Sequence, residues 1–293
     1  MSERNRLYLN LEKNIEKKLI IAYTDSRNKI INKISALERK GVLTQSEIFK
    51  YNRLLTLQNE ISDILSELGQ NTGKTLNQGV LDSYKLGYDY ESYRIENELN
   101  LDLNFALINE RAVIEAIKNP LSNVGFLQRN DTNLKQLANK INLTMAQGII
   151  QGHSYRKIAN EINKQMNMGA DNANRLARTE VHRAFEKASL DKGMEAQELG
   201  IEMQKMWVSA IDDRTRESHV AADGQTVPLN QPFIVQGESL MYPGDFAGSA
   251  SNVIHCRCTS INLIGKLNPK VRRIGKEIVP YTTFTDWINS KTN

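Results

Sequence analysis

The chain has 293 residues, 40% of them hydrophobic and 25% charged, with a formal net charge of +4. That length allows one large or two ordinary domains, either of which can bury a real core, and the composition is ordinary for a soluble globular protein. The charge is weak evidence of any partner by itself, but it is uneven along the chain.

The start, Met1-Ser2-Glu3-Arg4-Asn5, lacks the basic start and apolar run of a signal peptide. Apolar runs such as 19–23 are far shorter than the about 20 residues that span a bilayer. The expectation is a soluble protein with no membrane contact. Residues 1–40 carry ten Lys/Arg against five Asp/Glu, and Lys266, Lys270, Arg272, Arg273 and Lys276 face only Glu277. Such ends could touch nucleic acid or an acidic partner, although solvated faces explain them as well.

In chain order, residues 5–40 read as one long helix. Leu11, Ile15, Leu19, Ala22, Ile30, Ile34 and Leu37 recur at three- and four-residue steps, and Gly41 is placed to end it. Thr44 to Glu47 spell a capping box, with Leu43 and Ile48 as a hydrophobic staple. Leu54, Leu57, Ile61, Ile64 and Leu68 then form a short seam, which predicts an antiparallel hairpin with the first helix. Gly69 to Gly73 predict a break. Residues 75–99 are helical again, with tyrosines at 84, 88, 90 and 93 that could stack on bases but fit core packing better. A helix over 105–118 ends before Pro120. Residues 131–151 form an amphipathic helix, His153 lies in an exposed turn, and Ser154 caps a helix through Met166. Met168 to Ala170 predict another break, after which Asp171 caps a long helix that stops at Gly200.

Beyond Gly200 helical periodicity gives way to short β segments at 201–209, 225–227, 233–235, 239–242 and 258–264, separated by turn residues. The predicted class is α+β: a mostly helical N-terminal half and a small antiparallel sheet in a C-terminal module packed on a long helix. The expected regions are 1–128, helical and partner-binding; 129–265, the α+β module; and 266–293, a basic tail.

The residues that could do chemistry concentrate between 206 and 259. Arg178 and His182 share a helix face beside Glu180 and Arg183, a set that could clamp an anion or simply anchor the sheet. Asp212 or Asp213 is placed to cap a short helix on which Arg216 and His219 share a face. Cys256 and Cys258, in extended chain, point one way while His255 and Arg257 point the other. Two thiolates with His219 give three zinc-competent ligands, and His182 or Asp223 could add a fourth. The C-x-C spacing and the lack of a second knuckle count against zinc, and two buried apolar thiols on a strand explain the pair as well. A cysteine nucleophile with His219 and Asp212, Asp213 or Asp223 defines a thiol hydrolase, and Arg178, Glu180 and His219 a transferase. No P-loop, G-x-G-x-x-G, H-E-x-x-H or G-x-S-x-G occurs, which argues against nucleotide hydrolysis.

Taken in order, Leu176-Ala177-Arg178-Thr179-Glu180, Trp207, Asp212-Asp213-Arg214-Thr215-Arg216 with His219, Asp223-Gly224, Phe233, Tyr242-Pro243-Gly244-Asp245, and Asn252 with Cys256-Arg257-Cys258 resemble the Mu F-like head morphogenesis proteins, the minor head proteins of tailed bacteriophages. The resemblance covers roughly residues 130–265. It implies a low-copy structural component of the procapsid at the portal vertex rather than an enzyme, acting in head assembly, DNA packaging or genome delivery. Portal, capsid or scaffold proteins are the implied partners, with non-specific DNA contact compatible. The implied locations are the host cytoplasm during assembly and then the virion. It also implies a metal-stabilised or tightly hydrogen-bonded module around His219, Cys256 and Cys258, with zinc as the metal. In some relatives such a module precedes a toxin domain; the 28 residues after Gly265 are too few for one.

Overall fold

The structure, a computed structural model, describes residues 3–39, 47–118, 125–210, 212–265, 271–274, 277–280 and 284–292. Gly41, the capping box at Thr44 and Pro120 lie outside them. Five helices come first: α1 (Glu3–Arg39), α2 (Glu47–Leu99), α3 (Glu110–Lys118), α4 (Phe126–Ile150) and α5 (Tyr155–Glu198). There follow β1 (Met203–Val208), α6 (Glu217–Ala222), β2 (Thr226–Pro228), β3 (Phe233–Val235), β4 (Glu238–Leu240), α7 (Ala250–Val253) and β5 (Thr259–Ile264). The chain closes with β6 (Val271–Ile274), β7 (Glu277–Pro280) and α8 (Phe284–Thr292). The class is α+β, as the change of texture at Gly200 predicts.

Two compact units gather separated stretches of chain. One holds Met1–Leu11, Val80–Asn123 and Arg178–Asn293; the other holds Glu12–Gly79 and Val124–Ala177.

The described secondary-structure elements of the second unit are all helices. Ile15, Leu19, Tyr23, Ile30 and Ile34 of α1 are buried, as are Leu57, Ile61, Leu68 and Leu76 of α2. These are the three- and four-spaced positions of the sequence pattern, and burial of the stripe rather than propensity holds such helices. Ion pairs Lys29–Glu67 at 2.8 Å and Lys33–Glu60 at 3.0 Å run in opposite senses along α1 and α2, which makes the pair antiparallel.

Both predicted glycine breaks are absent. Helix α2 runs unbroken through Gly69 and Gly73. Helix α5 runs through Gly169, so Asp171 lies mid-helix and caps nothing. At Gly169 the cause is a close approach: a Cβ there would stand 2.8 Å from Leu137 Cδ2 and 2.9 Å from Tyr23 Cε1. The missing side chain admits two neighbours, and their packing outweighs the about 1 kcal/mol that glycine costs a helix. Ser154 does cap α5, its Oγ accepting the Lys157 amide at 3.3 Å. His153 is half-buried beside Lys157.

The first unit holds the sheet, in the order β2-β1-β5, all antiparallel. Met203, Lys205 and Trp207 of β1 and Ser260, Asn262 and Ile264 of β5 are buried, the alternation expected of a sheet with one face covered. Part of that covering is α5. The Ser260 amide and hydroxyl donate to Glu186 Oε2 at 2.8 and 2.9 Å, and Asn262 Nδ2 donates to the Ser189 carbonyl at 3.0 Å. The tyrosines serve packing: Tyr84 donates to Asp191 at 2.5 Å, Tyr88 donates to Glu195, and Tyr90 meets Tyr93 edge-on at 5.6 Å. Residues 266–293, expected as a tail, carry the β6–β7 hairpin and α8, whose Ile288 packs against the apolar cluster of this unit.

Candidate functional site

The short strands of the C-terminal lobe enclose a small core of Trp207, Phe233, Val235, Leu240, Cys256 and Cys258. Trp207 is fully buried, edge-on to Phe233 at 5.3 Å and to His219 at 5.7 Å. Its indole N–H donates to Ser209 Oγ at 3.2 Å, and that hydroxyl donates to the His219 carbonyl at 2.5 Å. The lone tryptophan of the stretch is thus the floor on which the imidazole is set.

His219 lies within α6 and is 1% exposed. Its Nδ1 lies 3.2 Å from Cys258 Sγ and 3.6 Å from Cys256 Sγ. The donor atoms of these three residues lie within 4.8 Å of one another. Residues 255 to 258 alternate exposed, buried, exposed, buried, so both thiols face in while His255 and Arg257 face out. A positive φ of 56° at His255 turns the chain out of α7 into that alternation. Both cysteines are free. The S–H of Cys256, with help from His219 and Ser209, lowers the Cys258 thiol well below its usual range, against burial. The same partnership and burial raise Cys256. One sulfur thus tends to thiolate and the other keeps the proton.

The expected fourth ligands stand elsewhere. Asp223 is exposed, and its Oδ1 accepts the Ser209 amide at 2.7 Å. His182 is buried beneath Tyr8, hydrogen-bonds the Cys258 backbone, and is held in its neutral form by burial. Asp212 caps no helix, because α6 starts after Arg216 with no side-chain cap. Instead Asp212 Oδ1 accepts the Arg214 amide and the Thr215 hydroxyl, both at 3.0 Å, and its carboxylate receives both Arg257 nitrogens. Arg257 holds that carboxyl well below its usual range. Asp213 and Arg214 are exposed. Arg216 donates to the Ile254 carbonyl, tying α6 to the chain after α7.

The anchoring set is as the helix face suggests. Glu180 pairs with Arg183 at 2.8 Å inside the fold, and Arg183 Nε donates to the Gly244 carbonyl at 2.9 Å. Pro243 and Gly244 form the turn, with Gly244 at φ 87° and the Asp245 amide donating to the Tyr242 carbonyl at 3.1 Å. The Asp245 carboxylate caps the turn by accepting the Met241 and Ala247 amides. Gly224, at φ 74°, donates to the Trp207 carbonyl at 2.9 Å and starts β2 beside β1. Arg178 is exposed.

The structure therefore brings His219, Cys256 and Cys258 together and places the other motif residues outside that donor set. A Cys-His-Asp relay is not assembled among the described residues: His219 Nδ1 faces sulfur, and its Nε2 is buried with no hydrogen-bond partner. Sequence reasoning passed over Ser209, Glu186 and Lys205. Ser209 was findable, two places after Trp207 on an alternating strand. Lys205 was not, since a lysine on a strand normally faces water; here it is fully buried, its ammonium donating to the Leu229 and Met241 carbonyls at 2.8 Å.

With this geometry in view, residues 139–261 match the family described as Phage Mu protein F like protein. That stretch contains every residue of the buried cluster. Over 270 residues the chain is 28% identical to the minor head protein GP7 of Bacillus phage SPP1, covering 90% of this chain and 86% of that one. Over 253 residues it is 30% identical to a protein of Enterococcus faecalis named NAD(+)--arginine ADP-ribosyltransferase EFV, covering 85% of this chain. The chain spans about half the length of that relative, 52%. No solved structure matches this chain. No described helix is long and apolar enough to cross a membrane.

Proposed function

We infer that this protein is a minor head protein of a tailed phage, a structural component of the head that acts in its morphogenesis. The observation that carries this is the relation to the SPP1 minor head protein, which runs over 90% of this chain and 86% of the other. A near-complete chain is shared, helices included, and not one motif. A head component is virion-associated and contacts other head proteins.

The finer reading is a low-copy protein at the portal vertex, added in the host cytoplasm during assembly and retained in the head interior. Its partners are the portal, capsid or scaffold proteins, and its work is assembly, DNA packaging or genome delivery. The helical region supplies the contact. On α1, Ile20 and Ile21 are 49% and 48% exposed, and Leu55 on α2 is 41% exposed. Apolar residues on helix surfaces suit a helix-in-groove or helix-pair contact. The basic ends are compatible with non-specific, salt-sensitive contact with the packaged genome.

The test is a pull-down of the phage's purified portal protein by the full chain. Retention of portal, lost in Ile21→Glu with unchanged helical content, is the expected result. Portal that flows through unbound by the wild-type chain contradicts the portal assignment.

A further inference from the structure

The lobe spanning β1 to β5 is built from strands of three to six residues and helices of four and six. Elements so short make few ladder bonds, and small loop-rich lobes are commonly stapled by a disulfide or a metal. A disulfide between Cys256 and Cys258 would join residues two apart and close no useful loop. The alternative staple uses the same thiols with the imidazole that faces them.

We propose that His219, Cys256 and Cys258 bind one thiophilic divalent cation of the zinc class, which fastens α6 to the chain entering β5. Three observations point there. The donors are two sulfurs and one imidazole nitrogen, the set that selects zinc over magnesium or calcium. Their spacing fits: bonds of about 2.0 Å to nitrogen and 2.3 Å to sulfur at tetrahedral angles put N and S about 3.5 Å apart, and His219 Nδ1 lies 3.2 and 3.6 Å from the two sulfurs. All three side chains are buried, so the ligands are already withdrawn from water and held by their neighbours.

The surroundings hold the ligands in place. Ser209 accepts from Trp207, donates to the His219 carbonyl, and stands 3.7 Å from Cys258 Sγ. It thereby fixes both the turn that carries the imidazole and one thiol, the outer support that metal ligands normally need. The Cys258 backbone is held in turn by His182 from α5. Binding replaces the thiol protons by the cation, so protons are released as metal enters and the sulfurs change no oxidation state. Three protein ligands leave one coordination position open.

The test uses the full wild-type chain, purified under reducing conditions. Elemental mass spectrometry is expected to find about one zinc per chain. Metal-free protein titrated with Co²⁺ is expected to show the near-ultraviolet thiolate charge-transfer band and the visible bands of a tetrahedral site, both removed by Zn²⁺. A chelator is expected to expose both thiols to a thiol reagent and to lower the melting temperature. Cys256→Ser, Cys258→Ser and His219→Ala are each expected to abolish the cobalt charge-transfer band or shift it, where the variant folds by circular dichroism. Because a variant can fail to fold, the decision rests on the wild type. Folded, reduced wild-type chain that carries less than a tenth of an equivalent of zinc and takes up no cobalt overturns the proposal, and leaves a hydrogen-bonded thiol pair. Failure here would leave the head assignment standing, since that rests on the relatives and not on the metal.

Discussion

Glu186 and Ser260 are joined twice: the Ser260 amide and hydroxyl both donate to Glu186 Oε2, at 2.8 and 2.9 Å. The other oxygen of the carboxylate accepts the Thr259 hydroxyl at 2.7 Å and pairs with Arg4 at 3.0 Å. A helix carboxylate thus takes up the start of β5, the segment that follows directly on Cys258. Removing it strands several buried donors and a cation. Glu186→Ala is expected to cost about 3–5 kcal/mol, the range for breaking a buried charge pair, and Ser260→Ala about 1–2 kcal/mol. Urea unfolding of the full chain measures both. A Glu186→Ala loss under about 1 kcal/mol would mean that the sheet is anchored elsewhere.

The unbroken helices make two opposite predictions for glycine. At Gly73 a Cβ would meet only Leu127 Cδ2 at 3.9 Å, an ordinary contact. Gly73→Ala is therefore expected to stabilise by up to about 1 kcal/mol through helix propensity. At Gly169 the same change drives a methyl into Leu137 and Tyr23, and overpacking of about 1–3 kcal/mol outweighs the gain. Midpoints of thermal unfolding that move in opposite directions support continuous helices. Destabilisation by Gly73→Ala would restore the break expected from sequence.

Lys205 gives a pH signature. Burial pulls its ammonium down to about 8 from 10.5, against the attraction of Asp245. The folded value lies below the unfolded one, so between these limits the unfolded chain binds more protons and stability rises with pH. The contribution is complete above the unfolded value and is lost as pH falls through the folded one. The full span is worth about 3 kcal/mol. Relative to Lys205→Met, the wild type is expected to gain stability from pH 7.5 to pH 10 in denaturant titrations. A constant difference between the two proteins over that range contradicts the shift.

Much of this was legible in sequence, for reasons that differ by element. The α1 and α2 stripes were readable because a helix that buries one face must repeat at 3.6 residues. The strands after Gly200 were readable from turn residues, and the shared face of Cys256 and Cys258 from the two-residue period of extended chain. The glycine positions misled because Gly169 reports a neighbour's approach, which lies in tertiary packing and not in local sequence. Asp212 misled for a related reason: a carboxylate before a helical segment can cap it, but here Arg257, 45 residues away, competes for it. The meeting of His219 with Cys258, 39 residues apart, was a possibility that residue type suggested and only the fold could realise.

The central claim, a component of the phage head, is tested most directly by composition. Procapsids and virions of the phage that carries this chain, purified by gradient sedimentation, can be assayed for it by quantitative mass spectrometry against the major capsid protein. Co-sedimentation with the particles, in a few copies for each portal, is the predicted result. Absence from both procapsids and virions, with the protein present in the infected-cell lysate, would contradict the claim.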